Sequence, residues 1–374
     1  MPLKVIGMIG VAPPARSGTE AATVHVIDGG VSPRYLVDFA RAHDEAGFDL
    51  VLVGYTSTSA DGWSVATHAA ANTARVGYLI AHRPGFVAPT LAARKAATFD
   101  QLSEGRFALH IIAGAGDRDQ RRDGDWLTKT ERYARAAEYV EVMRRTWTAT
   151  EPFDHDGTWY RMADVRSEVR PYQQPAPPVF FGGSSPEALA MGAEHCDVYA
   201  VFGEPLAATA ERFDHYRSLT GARGRRARFS ISFRPILGRT EGEAWDRARR
   251  IQAAVEASGP GAIARLEDSG GPRAFDHGGE RMLAHAAAGE VHDDCLWMKI
   301  AELTGAPGNT SCLVGTPEQV ARAITRYYEL GDLGYVLVRG FDPLADATDF
   351  GRELIPRVKA LADEIDSRRT SADP

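Results

Sequence analysis

Residues 178–186, Pro178-Val-Phe-Phe-Gly-Gly-Ser-Ser-Pro186, set the reading of the whole chain. Val179, Phe180 and Phe181 predict a buried strand, and Gly182-Gly183 a tight turn. Ser184 or Ser185 then caps a helix with Pro186 at its first position. Where a strand passes through glycines into a helix N-terminus, backbone N–H groups converge and the helix dipole favours negative charge. The stretch therefore reads as a phosphate cradle, and equally as a well-capped turn that binds nothing.

Outward from this stretch, short apolar runs alternate with helical patterns. Strands are predicted at Val5–Ile9, Leu50–Gly54, Arg75–Ala81, Phe107–Ile112, Val179–Gly182, Asp197–Phe202, Arg228–Leu237 and Tyr335–Val338. Helices between them often start with proline after a hydroxyl cap, as in Ser32-Pro33, Ser185-Pro186 and Thr316-Pro317. Such alternation predicts an α/β protein, a (β/α)8 TIM barrel with insertions, over a doubly wound open sheet. It forms a single domain over 1–366, and the polar residues 367–374 predict a flexible tail. Three segments break the pattern: a loop at Thr19–Gly30, a hairpin at 151–170 and a long insert at 258–310. The last reads as a lid near the eighth strand, with a disordered insert as the alternative.

The 374 residues carry a net charge of −7, which disfavours nucleic acid or an anionic membrane as partner. No apolar run is long enough to span a bilayer, and no signal peptide opens the sequence. Cys196, Cys295 and Cys312 are scattered, which suits a reducing cytoplasm and no zinc site.

A barrel carries its site at the C-terminal strand ends. That places Gly54 to Ser59, His82, Arg83, His110 to Gly114, Gly182 to Ser185, Phe202 to Glu204, Arg234 and Arg339 to Phe341 as candidates. They form no metal-ligand spacing and no nucleophile elbow. Basic groups and a phosphate cradle without a nucleophile point to a bound cofactor that supplies the chemistry.

The run from Arg75 to Arg106 resembles the third strand, helix and fourth-strand entry of luciferase-like, flavin-dependent monooxygenases, and is similar to their alkanesulfonate monooxygenase branch. The resemblance continues through Thr130-Glu-Arg-Tyr133, Gln174 to Ser185, Gly203-Glu-Pro205, Glu243-Ala-Trp245 and Leu313-Val-Gly-Thr-Pro317. It implies a barrel that uses reduced FMN from a separate NAD(P)H:FMN reductase, with O2 as co-substrate. A flavin peroxide would oxidise a small anionic organosulfur compound, sulfonate- or sulfone-like, with C–S cleavage releasing sulfite as one outcome. Tyr133, Gly183, Ser184 and Ser185 would hold the FMN phosphate, and Gly54, His110 and Ala113 would flank the ring. The resemblance also suggests a homodimer or homotetramer.

Several positions depart from that family pattern. Ser59 replaces a cysteine, and Ser232-Phe233-Arg234 replaces Arg-x-His. The lid arginine becomes Thr304, and a tyrosine after the eighth strand becomes Phe341. His110 and Ala113 stand for Asn and Thr. The substrate end is thus rewritten, and Arg234 and Arg339 become the candidates for gripping an anion. His110 and His82 are read either as proton-handling groups or as structural histidines. An F420-dependent hydride transferase on the same barrel, and a flavin-binding protein without catalysis, are the rival readings.

Overall fold

A computed structural model describes residues 2–13, 30–113, 116–258, 277–306 and 309–372. Most of the predicted loop at Thr19–Gly30, and residues 259–276 of the predicted lid, lie outside them.

In chain order, β1 (Lys4–Met8), β2 (Leu50–Val53), β3 (Gly77–His82) and β4 (Phe107–Ile111) precede an antiparallel hairpin, β5 (Phe153–Asp156) and β6 (Arg161–Val165). Next come β7 (Val179–Gly182), β8 (Val198–Phe202) and β9 (Phe229–Leu237). The insert contributes β10 (Val291–His292) and β11 (Leu296–Trp297), followed by β12 (Cys312–Gly315) and β13 (Leu333–Val338). Strands β1 to β4, β7, β8, β9 and β13 pair in parallel, and β13 closes the ring against both β1 and β9. All eight predicted strands are the barrel strands, and the predicted hairpin is β5–β6.

Side chains alternate between lumen and helix layer along each strand. Ile6, Leu50, Leu79, Ala108, Phe180, Val198 and Tyr335 fill the lower lumen as one apolar cluster, with Leu52 and Leu337 against it. Phe180 meets Tyr335 edge to face at 4.8 Å. Each large side chain buried this way contributes about 1.5–3 kcal/mol. The lower lumen is therefore a plug, and only its upper end is left for chemistry.

Strand β9 does two jobs. Its first half, Phe229–Phe233, pairs with β13 in the barrel, while Arg234–Leu237 pair with β12. Strands β10 and β11 extend that second sheet in antiparallel fashion. Strand β9 departs from the barrel at Arg234, just before Pro235, which has no N–H for a ladder. In the insert, helices His277–Ala288 and Lys299–Thr304 pack beside this small sheet, so its described part is ordered structure on the barrel rim.

The last helix also differs from expectation. It runs as Pro343–Asp349, a wider π turn over Phe350–Leu354, then Ile355–Ala372. Residues 368–372 of the predicted tail continue the helix. Tyr328 pins that end through its hydroxyl on Asp366, at 2.8 Å, and its carbonyl accepts from Arg369 at 3.0 Å.

Candidate functional site

The stretch 178–186 folds as its composition predicts. Strand β7 ends at Gly182, and Ser185 caps the helix Pro186–His195, its hydroxyl accepting from the Ala188 N–H at 3.4 Å. Gly183 has φ +126°, and a Cβ there would lie 2.7 Å from the Tyr133 hydroxyl and 2.9 Å from the Ala188 Cβ. Backbone, Tyr133 and the helix N-terminus thus form one concave surface that only glycine permits. Beside it an open cleft is lined by Ser184, Pro186, His277, Glu280, Arg281 and Ala284.

Above the apolar plug, strand alternation brings Met8, Gly54, His110, Gly182, Ser232, Arg234 and Arg339 to the lumen side. Arg234 is fully buried, donates to the Gly340 carbonyl at 2.7 Å and stacks on the Phe341 ring at 3.6 Å. Burial pulls its pKa down to about 10, so it remains charged at neutral pH. Arg339 approaches the Met8 sulfur at 3.3 Å. Burial, and secondarily the Arg234 charge, hold its pKa well below the usual arginine value. Two guanidinium groups that repel each other in one lumen make that end receptive to an anion.

His110 is half-buried between Phe180 and Gly182. Its Nδ1 is shielded from solvent and has no hydrogen-bond partner among the described residues. Burial lowers its pKa to about 4, leaving a neutral imidazole. Such a ring can donate or accept one hydrogen bond to whatever fills the lumen.

Three sequence candidates take different places. His82 has the wrong strand parity and points into the helix layer, where Nε2 meets the Tyr139 hydroxyl at 2.8 Å and Nδ1 the Trp63 N–H at 3.5 Å. It is a packed core histidine and does not handle protons at the lumen. Ser59 closes a local turn, donating to the Thr56 carbonyl at 2.9 Å and accepting from the Thr56 N–H at 3.0 Å. Ala113 packs its methyl against the helix layer, and its carbonyl accepts from Arg132 at 2.9 Å. Counting alternation through β3 and β4 separates His82 from His110 without coordinates.

His82 and the equally buried His43 have their pKa values lowered from 6.5 to about 4, chiefly by desolvation. The folded state then binds fewer protons than the unfolded state between those values, so stability falls as pH drops from 6.5 to 4. Each histidine contributes up to about 3 kcal/mol to that loss. Melting curves across this window are expected to fall by several degrees, and His82→Gln should flatten the slope. A pH-independent melting temperature would contradict the buried neutral assignment.

Two ionic clusters escaped the sequence reading because their partners are far apart in the chain. Arg83 pairs with Asp119, and with Asp123 at 3.3 Å, and lies 4.6 Å over the Tyr55 ring. This ties the β2 and β4 exits together. Glu204, buried just after β8, accepts from Arg212 at 2.9 Å and from Arg281 at 2.5 Å, and its pKa is lowered despite burial by those cations. Arg281 belongs to the insert helix His277–Ala288, so Glu204 is the anchor of that helix on the barrel. Removing one partner of a buried ion pair costs about 3–5 kcal/mol. Glu204→Gln is expected to expose the insert, read as at least about tenfold faster limited proteolysis within 277–306. Wild-type protection would show that other contacts hold it.

No group of three or more His, Cys, Asp or Glu is placed to hold a metal ion among the described residues. No helix of the described residues is long and apolar enough to cross a membrane.

A family model described as luciferase-like monooxygenase matches residues 8–333. Among solved structures, DmoA from Hyphomicrobium sulfonivorans superposes with TM-score 0.75 at 18% identity, covering 96% of this chain and 88% of that one. Riboflavin lyase, solved with modified FMN and riboflavin, gives TM-score 0.74 at 18% identity over 96% and 92%. An F420-dependent secondary alcohol dehydrogenase with an F420–acetone adduct gives 0.65 at 17% identity over 96% and 99%. At these identities the likeness is one of fold.

Proposed function

The chain belongs to the luciferase-like monooxygenase family, and from that premise we propose that it is a reduced-FMN-dependent, two-component monooxygenase acting on a small organic anion. The observation that carries this is the Gly183 cradle, where a Cβ would meet the Tyr133 hydroxyl at 2.7 Å. These residues fit a flavin phosphate: Ser184, Ser185 and the following helix N-terminus offer N–H and O–H donors, and Tyr133 a further hydroxyl. When bound, FMN supplies the redox chemistry with O2. His110 holds a neutral hydrogen-bonding atom at the lumen, and Arg234 and Arg339 orient the anionic head of the substrate. Glu204, through Arg281, keeps the insert helix against the mouth and limits water entry.

An organosulfur substrate, sulfonate- or sulfone-like, is the reading the guanidinium pair supports, with sulfite release as the diagnostic product. A separate NAD(P)H:FMN reductase, a cytoplasmic location and a homodimeric or homotetrameric assembly belong to the same proposal. F420 is the less favoured cofactor because the cleft beyond Ser184 offers little to a polyanionic tail. Its arginine, Arg281, is already paired with Glu204, and Glu280 adds a negative charge.

Anaerobic titration with photoreduced FMN and with reduced F420, followed by mixing with O2 and sulfonates, tests the proposal. Tight FMN binding with substrate-dependent O2 uptake is the expected result. Tight binding of F420 alone would replace it.

A further inference from the structure

Asn309 stands where β13 and the barrel half of β9 end, the two strands that carry Arg234 and Arg339. Its Nδ2 donates to the Phe233 carbonyl at 3.2 Å, and the same carbonyl accepts the Arg339 N–H at 3.2 Å. Arg234 is the next residue after Phe233, and its own N–H is held by the Ser311 carbonyl at 2.7 Å. One carbonyl thus ties the Asn309 side chain to the Arg339 backbone, one residue before Arg234. Because Nδ2 is used, the orientation of the amide is fixed and Oδ1 must be the free end. That oxygen is shielded from solvent and has no hydrogen-bond partner among the described residues.

A buried acceptor without a partner is costly, and sites retain one where a ligand supplies the missing donor. On the proposed reading Arg234 and Arg339, at the ends of the same strands, take a negative head group, and a donor to Asn309 then lies on the same molecule near that head. We propose that Asn309 is a specificity residue that selects an organic anion bearing a hydroxyl or amino group near its acidic end, over the same anion without one. This rests on the reading of the lumen as the substrate site. It goes beyond that reading by naming the second functional group of the substrate. Sites built around a buried polar group reject analogues that lack its partner far more strongly than apolar pockets reject a missing methylene.

The test uses matched probes with the FMN-loaded protein: 2-hydroxyethanesulfonate against ethanesulfonate, and 3-hydroxypropionate against propionate. Dissociation constants are measured by calorimetry, apart from turnover. At least about tenfold tighter binding of the hydroxylated member is expected in whichever anion class binds. Asn309→Leu should erase that difference and leave the affinity for the plain anion within about threefold. Asn309→Ala serves if the leucine variant melts early. Equal binding of both members by the wild type, or a preference that survives in the variant, would overturn the proposal. So would failure of all four anions to bind while FMN binds normally. Failure of FMN itself to bind would instead overturn the flavin reading, which the prior titration detects separately.

Discussion

Gly183→Val is expected to weaken reduced FMN binding by at least about 100-fold while leaving the barrel folded. Two independent observations set the size. At φ +126° a β-branched residue is strained by about 1–3 kcal/mol, and the site can relieve that only by moving the β7 exit. Any Cβ would also lie 2.7 Å from the Tyr133 hydroxyl and 2.9 Å from the Ala188 Cβ, so the cradle itself must open. The N–H groups that face a phosphate would then splay, and charge-assisted bonds lose most of their value when their geometry is lost. The readouts are flavin fluorescence titration for affinity and circular dichroism with thermal melting for the fold. Tyr133→Phe keeps the ring and removes only the hydroxyl, so it should cost about tenfold in affinity with no loss of melting temperature. Wild-type affinity in Gly183→Val, with a native melting curve, would mean that the phosphate sits elsewhere.

That cradle was legible because everything it needs is local. Gly182, Gly183, Ser185 and Pro186 are consecutive, and turn and cap chemistry depends on neighbours in sequence. The barrel was legible for a related reason: eight apolar runs separated by capped helices admit few topologies. The lumen chemistry was only half legible. Arg234 and Arg339 stood out as charges at strand ends, but their convergence depends on β9 leaving the barrel at Arg234 to pair with β12. Within β9 the mark of that departure is Pro235, which cannot donate to a ladder, and it does not say which strand β9 joins next. Glu204 stands out as a strand-end residue, but its role, like that of Asn309, comes from a partner tens of residues away: Arg281 for Glu204, Phe233 for Asn309. For His82 the two readings part on strand parity: Leu79 faces the lumen, so His82 faces the helix layer, where Tyr139 meets its Nε2.

Arg234→Met separates function from stability at this site. Methionine fills a similar volume and can lie against the Phe341 ring, now 3.6 Å from the guanidinium, while the charge is removed. If the lumen pair grips the substrate anion, kcat/KM should fall by about 10²–10³-fold, the range expected when a buried charge-assisted contact is lost. Stability should move the other way or hardly at all. A buried guanidinium carries a desolvation cost, visible in its lowered pKa, and its charge further depresses that of Arg339. An apolar residue of similar size at this position avoids that desolvation cost. The loss of the bond to the Gly340 carbonyl, 2.7 Å away, offsets part of that gain. A melting temperature equal to or above that of the wild type, with activity gone, is therefore the expected pair of results. Arg339→Met should show the same sign, and the double variant should lose less activity than the two singles combined, because both cations serve one anion. The opposite pattern, full activity with a melting temperature lowered by many degrees, would make Arg234 a structural strut. The anion site would then have to be sought away from β9, and Asn309 would lose its neighbour in recognition.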